Sequence, residues 1–307
     1  MGAYRITQQM MVSRVLRNLS LQNRRILDLQ EQLSTGQSVN RPSDNPMAAR
    51  RAINAQNVLA QNTQYLTNIS TIGPYLTETE TSISTVEDFR QRAYELTLQG
   101  LSDTNGQTQR DQIALEINSI LEDVITQGNY VSNGRYIFAG TRTATKPFTA
   151  TRNAAGESTA VAFEGNTETF EIEICTGTRV TVNQSGEDVF LQTTGTSVNI
   201  FETLINIRDH LRAGDTASLQ SDLEDLVQSQ DQLMVAVAKI GATQSRIESV
   251  EGNLRDINTQ MEKVISDNID ADFADVVVNL NSQSNAFQAS LSAAARVIQP
   301  SLLDFLG

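Results

Sequence analysis

The chain has 307 residues, of which 39% are hydrophobic, so it is long enough to bury a core in one to three domains. Its net charge of −13 argues against a general nucleic-acid-binding protein, because phosphate backbones are bound through clustered lysine and arginine. Only 5% of the residues are aromatic and none is tryptophan, a composition typical of long helices packed along narrow aliphatic seams. The single cysteine, Cys175, excludes a disulfide within the chain.

No apolar run of the sequence approaches the length of a membrane-spanning helix. The N-terminal residues also lack the apolar stretch of a cleavable secretion signal. We therefore expect the protein either to stay in the cytoplasm or to leave the cell by a route that ignores such signals.

The charge is distributed unevenly along the chain. Residues 1–60 hold eight arginines against three acidic residues, whereas residues 251–307 hold eight acidic residues against three basic ones. Opposite charges at the two ends favour pairing between them, although individual exposed pairs contribute little energy.

The first and last predicted elements are helices whose apolar residues recur at alternating steps of three and four, the pattern of packed helices. Gln22, Ser284 and Ala294 interrupt the two rows with polar or small side chains, which weakens an isolated helix pair. We therefore expect both ends to be disordered in the monomer and ordered on assembly. The predicted assembly interface consists of Val12, Val15, Leu19, Ile26, Leu29, Leu33, Phe287, Leu291, Ile298 and Leu302.

A corner is predicted where the first helix meets Asn40, Arg41, Pro42, Ser43 and Asp44. Prolines do not continue a helix interior, while Ser43, Asp44 or Asn45 could cap a new helix that has Pro46 in its first turn. That helix should run to about Gln99, and Gly73-Pro74 should break or kink it. After a turn at 100–106, the apolar residues from Ile113 to Val124 predict a further helix, which ends near Gly128.

Helical periodicity disappears at Tyr130, and short β-like segments follow. Phe170, Ile172 and Ile174 alternate with glutamates and predict a half-buried strand. Val180 and Val182 continue this pattern after a turn at Gly177, and residues 189–191 predict another strand. Residues 141–196 are thus expected to form a small β-rich domain inserted between helical halves.

Helix returns at Phe201 and stops near Gly214. From Leu219 to Ile265 a single seam then continues for about 47 residues despite Gly241 and Gly252, which predicts a rod of roughly 70 Å. The overall prediction is a mainly α protein with a small inserted β-rich domain. Its elongated helical bundle or coiled coil would have discontinuous N- and C-terminal halves.

Candidate catalytic and metal-binding residues are few. His210 is the only histidine, and a nucleophilic pair with Cys175 is a weak candidate because each residue also fits an ordinary structural position. The aspartates at 267, 270, 272 and 275 lack the glycine and glutamate of a calcium loop and fit a helix start or turn better. No catalytic residue, cofactor or metal is therefore predicted.

Several segments carry a resemblance to the bacterial flagellin superfamily. It is strongest at the two ends, spans nearly the whole chain, and at the C-terminus is closer to junction-forming members than to filament flagellins. The matching segments are Thr7-Gln8-Gln9-Met10, Leu33-Ser34-Thr35-Gly36, Asn40-Arg41-Pro42-Ser43-Asp44, Gly134–Thr141, Phe163-Glu164-Gly165-Asn166, Val180–Asn183, Lys239-Ile240-Gly241-Ala242, Arg246-Ile247-Glu248, Ala286–Leu291 and Ile298–Leu306.

The resemblance implies a structural, non-enzymatic subunit of the extracellular flagellum that is exported unfolded through the flagellar type III channel. It implies that residues 1–42 and 268–307 form the inner tube, residues 43–140 and 197–267 the outer bundle, and residues 141–196 the outermost domain. The implied partners are hook-associated protein 1, flagellin, further copies of the chain, and an export chaperone that binds the C-terminal region. Pro74 and Pro300 depart from the helical pattern of the family.

Two alternatives remain open from the sequence. The nearer is a filament flagellin of unusual sequence, which would form long filaments by itself. The other is a coiled-coil translocator or tip protein of a virulence type III secretion system, a reading that leaves the segment from Asn40 to Asp44 unexplained.

Overall fold

A computed structural model describes residues 8–102, 105–191 and 198–298 of the chain. By its internal contacts the chain divides into two compact units. Unit 1 comprises residues 1–61 and 256–307, and unit 2 comprises residues 62–255. The predicted fold class, mainly α with a small region of short antiparallel strands, is confirmed.

The described residues form long helices and short strands. The helices are α1 (Gln8–Thr35), α2 (Pro46–Gly100), α3 (Gln107–Gly128), α4 (Ile200–Ala213), α5 (Thr216–Ile269) and α6 (Phe273–Ile298). The strands are β1 (Val131–Ser132), β2 (Arg135–Tyr136), β3 (Phe148–Arg152), β4 (Ser158–Phe163), β5 (Glu171–Cys175) and β6 (Thr178–Thr181). Among these helices none is long and apolar enough to cross a lipid bilayer.

Unit 1 contains the terminal helices, which pack against each other as predicted. The segment after α1 pairs with the segment before α6: the Ser38 amide donates to the Ile269 carbonyl at 2.6 Å, and the Ala271 amide donates to the Gly36 carbonyl at 2.9 Å. Because the end of α1 thus meets the start of α6, the two helices run antiparallel.

A break or kink was predicted at Gly73-Pro74, and the break does not occur, because α2 is helical without interruption through Pro74. Proline removes one helical hydrogen bond and costs about 3 kcal/mol in a helix interior. Ile72 and Leu76, on either side of it, are fully buried in the core of unit 2, while Pro74 itself faces solvent. Burial of both flanking side chains stabilises the helix by an amount comparable to this cost.

The long helix predicted from the C-terminal seam is confirmed, since α5 is one helix of 54 residues. Its buried leucines and isoleucines recur every seven residues, at Leu219, Leu226, Leu233, Ile240, Ile247 and Leu254. A strict seven-residue repeat is the signature of coiled-coil packing. Neither Gly241 nor Gly252 interrupts the helix.

Three antiparallel hairpins, β1–β2, β3–β4 and β5–β6, make up the strands of unit 2. In β3–β4, Phe148 pairs with Phe163, and in β5–β6, Glu171 pairs with Thr181. The predicted strand at 170–174 is confirmed as β5, although Phe170 lies just outside it and is exposed.

The strand predicted at residues 189–191 is wrong, because Glu187–Leu191 form a short π-helical turn. Three consecutive apolar residues have no period that separates strand from helix. The turn inserts Phe190 edge-on against Phe138 and Phe148, with ring centroids 5.0 and 5.5 Å apart. Phe148 is the centre of this aromatic cluster, and a Cβ on Gly186 would lie only 2.7 Å from its ring. The close approach of backbone and ring therefore requires glycine there.

Candidate assembly surface

The face of α1 that contacts α6 contains the predicted apolar row. Val12, Val15 and Leu19 are half-buried, and so are Ile26, Leu29 and Leu33. From α6, Phe287 is half-buried and Ala294 is buried. The predicted residues of the two helices therefore lie together, but none of the α1 residues is sealed from water as the core of unit 2 is.

Leu291 remains largely outside this contact, with 45% of its surface exposed. Ile298 is the last residue of α6, and its side chain lies outside the described part of the chain, as does Leu302 altogether. Leu291 is thus an apolar side chain on the terminal helix pair with much of its surface available to another molecule.

An open cavity of about 230 Å³ lies between the two terminal helices. Its walls are Val15, Asn18, Leu19, Gln22, Ser290, Ala293 and Ala294. The side-chain oxygen Oε1 of Gln22 is buried there without a hydrogen-bond partner. An unsatisfied buried polar atom costs about 1–3 kcal/mol, so the polar interruption predicted to weaken the row is a structural defect of the pair.

The corner from Asn40 to Asp44 is organised by one carboxylate. Oδ2 of Asp44 accepts hydrogen bonds from the amides of Asn40 and Arg41, at 3.2 and 2.8 Å. Arg41 also lies 3.6 Å from Glu31 in α1. These contacts fix the turn between α1 and α2 with exposed side chains, so the corner is both structural and accessible.

Asn45 caps α2, as the sequence allowed. Its Oδ1 accepts a hydrogen bond from the Ala48 amide at 3.1 Å, and Pro46 occupies the first helical position. This arrangement satisfies a backbone N–H group that would otherwise have no partner at the helix start.

The terminal helices pack together, but no ion pair joins the basic and acidic ends among the residues that the structure describes. Among the described residues, Arg14, Arg17, Arg24 and Arg25 of α1 are exposed and form no ion pair. The aspartates at 267, 270, 272 and 275 are likewise exposed and form none within the same ranges. The reason is distance: these aspartates flank the end of α1, whereas Arg25 lies ten residues earlier, about 15 Å along the helix.

Asp272 has a structural role instead: it lies at the start of a helix, and a helix start or turn was predicted for this segment. Its Oδ1 accepts hydrogen bonds from the amides of Ala274 and Asp275 at 3.0 and 3.3 Å, which caps α6. A carboxylate at a helix N-terminus is also favoured by the helix dipole.

The two weak catalytic candidates have ordinary partners. His210 lies in the last turn of α4, and its Nδ1 is 2.7 Å from Oδ2 of the buried Asp222 in α5. Burial raises the pKa of Asp222, and the contact with His210 opposes this shift. Cys175 ends β5 and packs against the apolar core of unit 2.

Two of the segments that carry the family resemblance, residues 134–141 and 163–166, contact each other in unit 2. The Thr141 amide donates to Oδ1 of Asn166 at 2.8 Å, and the Asn166 amide donates to the Ala139 carbonyl at 3.2 Å. Gly140 has a positive φ of 69°, and a Cβ there would lie 2.1 Å from the carbonyl oxygen of Asn166. The Tyr75 hydroxyl donates to the Ile137 carbonyl at 3.0 Å, and burial raises its pKa to about 12.

Family models match at both ends of the chain. The model of the bacterial flagellin N-terminal helical region matches residues 6–143, and that of the C-terminal helical region matches residues 223–306. Together they cover well over half of the sequence. The chain belongs to the bacterial flagellin family.

Within the flagellin family, the chain is 24% identical over 310 residues to flagellar hook-associated protein 3 of Escherichia coli, covering 94% of this chain and 95% of that protein. The fold resembles the crystal structure of FlgL from Bacillus cereus, with a TM-score of 0.59, 24% identity, and coverage of 69% and 99% of the two chains. It also resembles the flagellar junction protein FlgL of Legionella pneumophila, with a TM-score of 0.61, 13% identity, and coverage of 72% and 100%.

Sequence reasoning missed the exposed apolar side chains on the remaining faces of α1. Met10, Leu16, Leu21 and Leu27 are exposed and lie outside the row that contacts α6. A second count at steps of three and four, beginning at Met10, would have found Arg14, Arg17, Leu21 and Arg24 on one stripe.

Proposed function

We propose that this chain is a structural subunit of the bacterial flagellum that polymerises at the junction between hook and filament. The observation that carries the proposal is the full-length similarity to flagellar hook-associated protein 3, which covers 94% of this chain and 95% of that protein. A family member that acts at another place would be expected to match hook-associated protein 3 at the two helical ends and to differ from it in the residues between those ends.

The proposed mechanism is coupled folding and assembly. The α1–α6 pair buries its apolar row only partly, encloses an unpaired Gln22 oxygen and leaves Leu291 exposed. Such a pair gains stability when neighbouring subunits cover it. We propose that residues 1–42 and 268–307 line the tube, with residues 43–140 and 197–267 outside it and residues 141–196 outermost.

The proposed partners are hook-associated protein 1 on the hook side, flagellin on the filament side, further copies of this chain, and an export chaperone for the C-terminal region. The chain is proposed to act without catalysis and to reach the cell exterior by type III export. The long helix α5, whose buried leucines and isoleucines recur every seven residues, supports a structural role.

The test is immunogold electron microscopy of whole cells with an antibody against residues 141–196, and a strain lacking the chain is the control. Label confined to one band between hook and filament is the expected result. Label along the whole filament would instead make the chain a filament flagellin. Flagella without label would overturn the flagellar assignment. The alternative of a secretion-system tip protein would then be favoured.

A further inference from the structure

A second stripe on α1 faces away from α6. Met10, Arg14, Arg17, Leu21 and Arg24 follow steps of four and three, so they share one face of the helix. We call these five residues the basic stripe. All are exposed, with Met10 and Leu21 exposed by 57% and 53%. Three arginines beside two apolar side chains make a surface suited to an acidic protein partner.

Unit 1 also has an acidic segment, which we define as residues 267–275. Asp267, Asp270, Asp272 and Asp275 project from it, are exposed, and form no ion pair within the described ranges. The backbone contacts of Gly36 and Ser38 with this segment hold it beside the end of α1. Asp28 and Glu31 add negative charge in the last turns of α1.

The charge of unit 1 therefore changes along α1. The first two-thirds of the helix are basic, and its last turns are acidic. From Arg17 to Thr35 the helix rises by about 27 Å, so the stripe cannot fold back onto the acidic segment of its own chain. A second copy of the chain, shifted along the axis of α1, could present its acidic segment to the basic stripe of the first copy. Such a head-to-tail contact uses different surfaces on the two copies and is the type that builds rings or helical arrays.

We propose that the basic stripe of one copy docks on the acidic segment of a second copy of this chain. The complementary charges carry the choice of a second copy, because both halves of the contact are present on every chain and form no ion pair among its described residues. The proposal rests on the junction assembly proposed above and identifies the surfaces that would meet in it.

The test is site-specific photo-cross-linking in assembled flagella. A photoreactive residue replaces Leu21 in the full chain, produced in its own bacterium, and the flagella are isolated, irradiated and analysed by mass spectrometry. The expected product joins position 21 to residues 267–275 of a second copy. Leu27 is a matched control position, since it is 56% exposed but lies on another face of α1. The control should give no product with the acidic segment.

Charge reversal supplies the second arm. The pair Arg17→Glu and Arg24→Glu should lower the yield of the cross-link about tenfold, and so should the pair Asp267→Lys and Asp275→Lys, because like charges then face each other. All four changes in one chain restore opposite charges between copies and should restore the yield. These side chains are exposed and unpaired in the monomer, so the fold is expected to be unchanged.

The outcomes separate the two proposals. A cross-link within one chain, to another part of a second copy, or to a different protein would overturn the docking proposal while the junction role stands. A correct cross-link whose yield is unaffected by either reversal would also overturn the electrostatic contact. Isolated flagella that contain none of the chain would overturn the junction role, and with it the docking proposal.

Discussion

At the scale of single residues, Gln22 is the clearest defect of the terminal helix pair. Its Oε1 is buried without a partner beside the cavity formed with Ser290, Ala293 and Ala294. Natural selection for stability alone would favour an apolar side chain at such a position. A polar residue that weakens the pair is compatible with a helix that must unfold and refold, which the proposed export and assembly require.

We predict that Gln22→Leu stabilises the α1–α6 pair by about 1–2 kcal/mol, since the change removes the unsatisfied oxygen and adds apolar contact. Amide hydrogen exchange in α1 should slow in proportion, and urea unfolding monitored by helicity should shift to higher concentration. Gln30→Leu, an exposed position on the same helix, is the control and should leave the exchange unchanged. Equal exchange in both variants would contradict the assigned cost of the buried oxygen.

Asp222 is a second residue with a measurable signature. Because burial raises its pKa, the folded chain binds a proton there more readily than the unfolded chain does. Between the ordinary aspartate pKa of about 3.9 and the raised value, this group's contribution to stability therefore falls as pH rises. The contact at 2.7 Å to His210 joins α4 to α5.

We predict that Asp222→Asn gains stability relative to the wild type as pH rises above the ordinary aspartate pKa of about 3.9, because asparagine does not ionise. Urea midpoints measured upward from that pH should give a difference between the two proteins that shifts in favour of the variant. Asp231→Asn, an exposed aspartate of the same helix, should run parallel to the wild type. A parallel curve for Asp222→Asn as well would show that burial does not perturb this carboxyl group.

At the scale of elements, the β3–β4 hairpin is held to the helices by charged contacts. Glu157 accepts two hydrogen bonds from the Arg212 guanidinium in α4, at 2.6 and 2.9 Å. Arg152 lies 2.6 Å from Glu122 in α3, and the buried Arg208 donates to the Ser158 carbonyl at 2.7 Å. Hydrogen bonds from Arg212 and Asn153 lower the pKa of Glu157 to about 2.

We predict that Glu157→Gln loosens this hairpin without unfolding the helices. Loss of the bidentate pair should cost about 1 kcal/mol and make amide exchange in residues 148–163 roughly fivefold faster at neutral pH. Exchange in α3 should be unaffected. In the wild type the pair contributes fully above the ordinary glutamate pKa of about 4.3 and is lost as pH falls towards 2.

Glu164→Gln is the matched control, because Glu164 is an exposed glutamate immediately after the same hairpin. Its removal should leave the exchange of residues 148–163 as in the wild type. If the amides of residues 148–163 exchanged at the same rate in both variants, apolar packing of Phe148 and Phe163 rather than the ion pair would hold the hairpin.

The sequence predicted those elements whose pattern repeats. The apolar seam from Leu219 to Ile265 predicted α5, and the polar caps near Pro46 predicted the start of α2. The break considered at Pro74 does not occur, because a local preference for a break does not register that Ile72 and Leu76 are both buried. Residues 189–191 were misread because so short an apolar run carries no period.

The candidate assembly surface was predicted only in part. The row on α1 was identified because it is a continuous apolar repeat, and the structure places it against α6. The charge at the two ends was summed without regard to its position along each helix, so pairing within the chain was expected. Axial separation of the arginines from the aspartates follows from the antiparallel packing of α1 and α6, which the sequence alone does not give.

At the scale of the whole molecule, unit 2 has a core that does not depend on the terminal helices. The buried apolar cluster extends from Tyr65 to Leu254, within the limits of unit 2. In unit 1 the α1–α6 pair buries its apolar row only partly, and Leu21, Val278 and Leu291 are exposed. A chain divided in this way can keep one unit folded while the other is completed by assembly, which is the mechanism proposed above.

The decisive variant for that mechanism is Leu291→Asp, because Leu291 lies on the terminal helix pair with 45% of its surface exposed. A charge there should leave the core of unit 2 intact, with unchanged thermal unfolding of that unit, yet prevent incorporation into the junction because a charge would be buried at the subunit contact. Ser292→Asp adds the same charge at an exposed neighbouring position of α6 and should be tolerated. The measurement is immunogold labelling of the junction together with calorimetry of the purified variants. Normal incorporation of the Leu291→Asp chain would show that this surface stays in water in the assembled flagellum, and the proposed coupling of folding to assembly would fail.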